Sequence, residues 1–146
     1  MSSRRRSHLL LAPLAAGLIA GSIGMNLAHA STTLAWSKVG DGFNPGGSVF
    51  DLAVSANDDT LYAGGSFLSV VQQSGATLSV GHIEQWRAAD DSWLPMGKGV
   101  NDWARAVATS ADDTVYVGGN FDFATQRTDD TVALNLIGRW RSSDDT

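Results

Sequence analysis

Five residues of the 146-residue chain carry side chains suited to holding a ligand: Asn44, Asp51, Asn101, Trp103 and Arg105. An indole stacks on the apolar face of a sugar ring, and an amide both donates to and accepts from hydroxyls. A carboxylate and a guanidinium add charge-assisted hydrogen bonds. Asn44 and Asn101 occupy matching places in two loops. Asp51 and Arg105 lie 54 residues apart, at matching places in two strands, where opposite charges point to an ion pair. Trp103, which aligns with Val49, opens its strand beside a loop and is the strongest candidate for a ligand contact.

Reaction chemistry finds less support. His82 is the only histidine after residue 30 and aligns with Leu136, with no serine or cysteine nucleophile motif around it. The pairs Asp58-Asp59, Asp90-Asp91, Asp112-Asp113 and Asp144-Asp145 lack the alternating ligand ladder and bidentate glutamate of a calcium loop, and they read as hairpin turns. Gly64-Gly65 and Gly118-Gly119 are followed by neither Lys-Ser/Thr nor a helix, so they do not form a phosphate loop. With no cysteine there is no thiolate metal site and no disulfide framework. The expectation is a protein without catalytic residues, metal or cofactor.

The elements that must position these side chains come from a repeat. Asp58-Asp59-Thr60-Leu61-Tyr62-Ala63-Gly64-Gly65-Ser66-Phe67 returns as Asp112-Asp113-Thr114-Val115-Tyr116-Val117-Gly118-Gly119-Asn120-Phe121, 54 residues on. Ile83-Glu84-Gln85-Trp86-Arg87 returns as Ile137-Gly138-Arg139-Trp140-Arg141 at the same shift, and Trp36 to Gly42 matches Trp93 to Gly99 at a shift of 57. Each copy divides into short strands between turn signals. Strand a runs Val49 to Ser55 and Trp103 to Thr109, and strand b runs Thr60 to Ala63 and Thr114 to Val117. A long polar loop leads to strand c, near Gly81 to Arg87 and Leu136 to Arg141. Strand d is Trp93 to Met96, with Trp36 to Val39 as its earlier counterpart. Apolar residues on both faces of strand a predict a sheet sandwiched between neighbours. Trp86 and Trp93 are neighbours across the c–d hairpin, so Trp36 should meet Trp140 in the same way. The fold class is therefore all-β: two four-stranded antiparallel propeller-type blades, in the strand order d-abcd-abc.

The pattern apolar-Tyr-apolar-Gly-Gly-x-Phe, then Ile-x-x-Trp, then Trp-x-x-apolar-Gly-x-Gly resembles the repeats of secreted bacterial β-propeller proteins. Those repeats are related to kelch repeats and to the repeats of fungal cortical polarity-marker proteins. The resemblance spans nearly all of residues 36 to 145 and implies a propeller scaffold for binding or display, with no catalytic residues to carry over. In such a scaffold the d–a loops (residues 40–48 and 97–102) and the b–c loops (66–80 and 120–133) share one face.

Arg4, Arg5 and Arg6, an apolar stretch from Leu9 to Met25, and Ala28-His29-Ala30 read as a signal peptide over residues 1–30, leaving residues 31–146 as the repeat domain. Secretion or a periplasmic location follows. All 15 acidic residues and 7 of the 10 basic ones fall after Ala30, a net charge of −8 there, and this argues against nucleic acid as a partner. The expected function is a non-enzymatic module outside the cytoplasm, with a glycan or a cell-surface protein as partner. Two blades do not close a ring, so homo-oligomers that close one are expected. A fragment or subunit of a larger, hydrolase-like propeller and a structural remnant without ligand are the alternatives.

Overall fold

Aspartate pairs turn the chain. The second member of three pairs has left-handed backbone, Asp59 at φ 54°, Asp91 at 47° and Asp113 at 56°, which Asp tolerates better than most residues. The first member caps the turn where the next strand starts: Asp58 Oδ1 accepts the N–H of Thr60, and Asp112 Oδ1 that of Thr114. Between these turns the apolar, β-branched runs extend into strands.

The computed structural model describes residues 35–144, and the expected signal peptide lies outside them. Apart from Ala35 these belong to a unit spanning Trp36–Thr146. Its regular elements are all β-strands except one 3-10 turn, Ser142–Asp144. In the first repeat β1 (Val49–Val54), β2 (Thr60–Gly65), β5 (Ile83–Arg87) and β6 (Ser92–Leu94) form an antiparallel sheet in the order β1-β2-β5-β6. In the second, β7 (Ala104–Thr109), β8 (Val115–Gly119) and β11 (Ile137–Trp140) form a sheet in the order β11-β8-β7. The all-β, antiparallel character expected from the sequence is what the described residues adopt, and none of the sheets they form closes on itself.

Three features differ from the expectation. The loops between strands b and c are not irregular. Each holds a hairpin, β3 (Ser69–Val71) with β4 (Thr77–Ser79) and β9 (Phe123–Thr125) with β10 (Thr131–Ala133). The segment before each first strand joins its hairpin, through Phe43 to Val70 in one repeat and Val100 to Ala124 in the other. Second, Trp36 to Val39 forms no strand. Trp36 is fully exposed, no described strand lies on the outer edge of β11, and so Trp36 does not meet Trp140 within the chain. Third, β1 is covered on one face only. Asp51 and Ala53 face the second sheet, while Phe50, Leu52 and Val54 are exposed. A strand with apolar side chains on both faces needs a neighbour on each side, and the described chain supplies one.

The two sheets pack face to face through β1 and β7. Tyr62 and Ile83 of the first meet Ala104, Val107, Val115 and Val117 of the second in one core, and the Trp140 ring lies 6.3 Å from that of Tyr62. Gly64 permits the approach, because a Cβ there would sit 2.7 Å from Val107 Cγ2. A second core lies on the other face of the first sheet, where Ala63 and Trp93 meet Phe67 and Val70, with Val39 and Phe43 from the N-terminal segment against them.

Candidate functional site

Strand a carries the candidate residues, and its register decides which of them meet. A β-bulge between Val49 and Asp51 sets Asp51 opposite Gly64, and a matching bulge between Ala104 and Ala106 sets Ala106 opposite Gly118. Since Gly64 and Gly118 are the same place in the repeat, Asp51 corresponds to Ala106 and Arg105 to Phe50. This corrects the assignment by a constant shift of 54. The cause is one residue in the a–b turn. Ser55 and Ser110 each donate their backbone N–H to the threonine that begins the next strand, Thr60 or Thr114, but Asn57 makes the first turn longer by one. The pairs Ser55-Ala56 and Ser110-Ala111 before the aspartates are the signal by which the sequence could have shown it.

The expected ion pair between Asp51 and Arg105 is not formed. Asp51 bridges the sheets instead, accepting the N–H of its neighbour Leu52 on Oδ1 (2.9 Å) and that of Val107 on Oδ2 (2.8 Å). Arg105 turns to the loop face, where Nε donates to Asn120 Oδ1 at 2.7 Å. Its guanidinium carbon lies 5.0 Å from the centre of the Trp103 ring and 5.4 Å from that of Phe50, within cation–π range. The two rings meet edge to face with centroids 5.9 Å apart, and each residue is 40% exposed. Phe50, Trp103 and Arg105 thus form an open aromatic and cationic platform at the seam between the sheets.

Asn44 and Asn101 are not part of it. Asn44 Nδ2 donates to Ser69 Oγ at 2.6 Å, and Asn101 Oδ1 accepts the N–H groups of Asp122 and Phe123, both at 2.9 Å. Each amide ties its d–a loop to the hairpin of its own repeat, so the repetition is one of loop anchoring. Of the five sequence candidates, the fold brings Trp103 and Arg105 together, leaves Asp51 in the sheet interface, and adds Phe50. Phe50 lies in an apolar run that reads as core, and only the bulge register exposes it.

No protein-family model matches the chain, and neither curated proteins nor solved structures provide a match.

Two titratable groups are buried at the start of strand c, His82, weighed above from the sequence, and Glu84, which the sequence did not single out. Glu84 is 1% exposed, and burial pushes its carboxyl up to about 8, against the opposing N–H bonds of Gln85 and Met96. Its repeat counterpart is Gly138, where Leu134 fills the space a side chain would take. His82, held at φ 63°, has a buried Nδ1 without a partner, and burial lowers its pKa. The two alternate along the start of strand c, with Ile83 between them. Among the described residues no three metal-capable side chains cluster, and no helix is long and apolar enough to cross a membrane.

Proposed function

We propose that this chain is a non-enzymatic binding module acting outside the cytoplasm, built from two blades of a β-propeller, with a glycan as the first ligand class. Support for the blade reading is the repeated a-b-c meander with an inserted hairpin, stacked face to face through the first strands. The observation that carries the ligand reading is the exposed Phe50–Trp103–Arg105 platform. Two aromatic faces offer apolar surface to the C–H face of a sugar, and Arg105 spends only Nε on Asn120, leaving its terminal nitrogens to donate to ring hydroxyls or an acidic substituent. Half-exposed rings held in place by a cation cost little ordering entropy on binding.

The purified protein on a glycan array should give a reproducible set of bound sugars. Trp103→Ala should weaken the best of them at least about tenfold, the order expected when one stacking ring is lost. Asn44→Ala should leave affinity within about twofold. An array without signal, or one that Trp103→Ala leaves unchanged, removes this reading.

A further inference from the structure

The second repeat contains a socket whose filling is visible in the first. There Trp93, on β6, is 1% exposed, with its indole against Gly40, where Nε1 lies 2.6 Å from the place of a Cβ. Gln72 clamps its backbone: Gln72 Nε2 donates to the Trp93 carbonyl at 2.8 Å, and Trp93 N–H donates to Gln72 Oε1 at 2.9 Å. The matching residues of the second repeat, among them Gly97, Val117, Ala124, Gln126, Leu134 and Trp140, line an open apolar cleft beside the edge strand β11. Trp140 Nε1 is buried nearby without a partner among the described residues. The residue matching Trp93 is Trp36, and it stands fully exposed. Among the described residues Trp36 therefore stands without a socket, and the second socket stands without a tryptophan.

The sheet faces repeat the relation. The outward row of the first sheet, Leu52, Val54 and Leu61, corresponds to Val107, Thr109 and Val115, the row by which the second sheet packs on the first. The outward row of the second sheet, Ala106, Ala108, Tyr116 and Gly118, corresponds to Asp51, Ala53, Tyr62 and Gly64, the row that receives it. Gly64 is required because Val107 crowds it, whereas a Cβ at Gly118 would have no atom nearer than 3.9 Å. A glycine at that place answers to a neighbour that the described residues do not provide. The charges agree. Burial, the Asp58 charge and, from the second sheet, the Asp113 charge hold the Tyr62 hydroxyl up at about 12. The counterpart of Asp113, Asp59, has no partner among the described residues, and neither has the guanidinium of Arg139, cross-strand neighbour of Tyr116. A second copy would bring Asp59 to Tyr116 and Arg139.

We infer that copies of this chain assemble head to tail: the segment at Trp36 and Ser37 of one copy adds to the β11 edge of the next, Trp36 fills its cleft, and the outward face of sheet one seats on the outward face of sheet two. The contact continues, one step on, the interface that joins the two sheets within a chain. Such a contact closes by rotation, and rings of four to eight blades correspond to about two to four copies. It also covers an edge and two apolar faces that would otherwise invite disordered association. The assembly is independent of what the loop face binds.

Sedimentation and an engineered cross-link test it on the full chain as exported. The wild type should sediment as a discrete multiple of one chain. Trp36→Ala should sediment as one chain with its unfolding midpoint at low concentration unchanged, since Trp36 is exposed in the single chain. The protein has no cysteine, so Ser37→Cys with Arg139→Cys, the pair matching the cross-strand partners Leu94 and Gln85, should form disulfides between chains on mild oxidation. A single-chain wild type overturns the inference. So does an oligomer that Trp36→Ala leaves intact, or a disulfide formed only within one chain.

Discussion

At the scale of single residues, Glu84 sets the pH response of the fold. Burial holds its carboxyl at about 8 in the folded chain against an ordinary value of 4.5. Anywhere between those values the native state keeps a proton that the unfolded chain has released, so stability falls as pH rises through that window and levels off above it. Below about 4.5 both states are protonated, and the full contribution is present. Glu84→Gln keeps an acceptor for the neighbouring N–H groups and removes the titration. Urea unfolding at pH 9 should find Glu84→Gln more stable than the wild type by up to a few kcal/mol, since each tenfold difference in proton affinity between the two states is worth about 1.4 kcal/mol. Near pH 4.5 the two should nearly coincide. A wild type whose stability does not fall between the two pH values contradicts the assignment. His82 titrates across part of that window in the opposite sense. Its folded pKa is depressed, so its contribution is lost on acidification and does not mimic the effect of Glu84.

At the scale of elements, the sequence revealed what repeats and concealed what slips. The double glycines, the Tyr-x-Gly-Gly runs and the aspartate pairs located β1, β2, β5, β6, β7, β8 and β11 to within a residue or two, because turn chemistry and β-branched runs are local signals. The hairpins β3–β4 and β9–β10 escaped because three-residue strands of mixed polarity are pinned by partners distant in sequence, Phe43 and Val100, which no local pattern announces. One inserted residue displaces the candidate site: without Asn57, a constant shift of 54 places Arg105 at the position of Asp51, whereas the bulge register places it at that of Phe50. That insertion is itself an interface element. Asn57 Nδ2 donates to the carbonyl of Ala111 at 3.0 Å and to Asp113 Oδ2 at 2.6 Å, while Ser55 Oγ donates to Asp113 Oδ1 at 2.7 Å. The three bonds join the a–b turns of the two sheets. A double-mutant cycle on Asn57→Ala and Asp113→Ala should give a coupling of about 0.5–1 kcal/mol in urea unfolding, the range for a net hydrogen bond near the surface. Additive losses would mean that the turns are held apart from one another.

At the scale of the whole molecule, the feature to be explained is that the described residues leave two sheet faces uncovered and Trp36 exposed. In the head-to-tail assembly Trp36 must reach another copy's cleft, and what precedes it in the chain then matters. Cleavage after Ala30 leaves five residues ahead of Trp36, all small or apolar except the hydroxyls of Ser31, Thr32 and Thr33. An uncleaved chain would carry Arg4 to Arg6 and the apolar run from Leu9 to Met25 to the same edge, where a 17-residue apolar stretch would compete for the exposed faces. The proposed export and the proposed assembly are thus linked, since cleavage after Ala30 would supply the N-terminal segment that the β11 edge is proposed to accept. Mass spectrometry of the intact exported protein, with N-terminal sequencing, should place the first residue at Ser31, and that material should be the form that sediments as a multiple of one chain. A mature N-terminus at Met1, or one beyond Trp36 in protein that still assembles, would separate the two processes and leave the Ala28-His29-Ala30 motif without its assigned role.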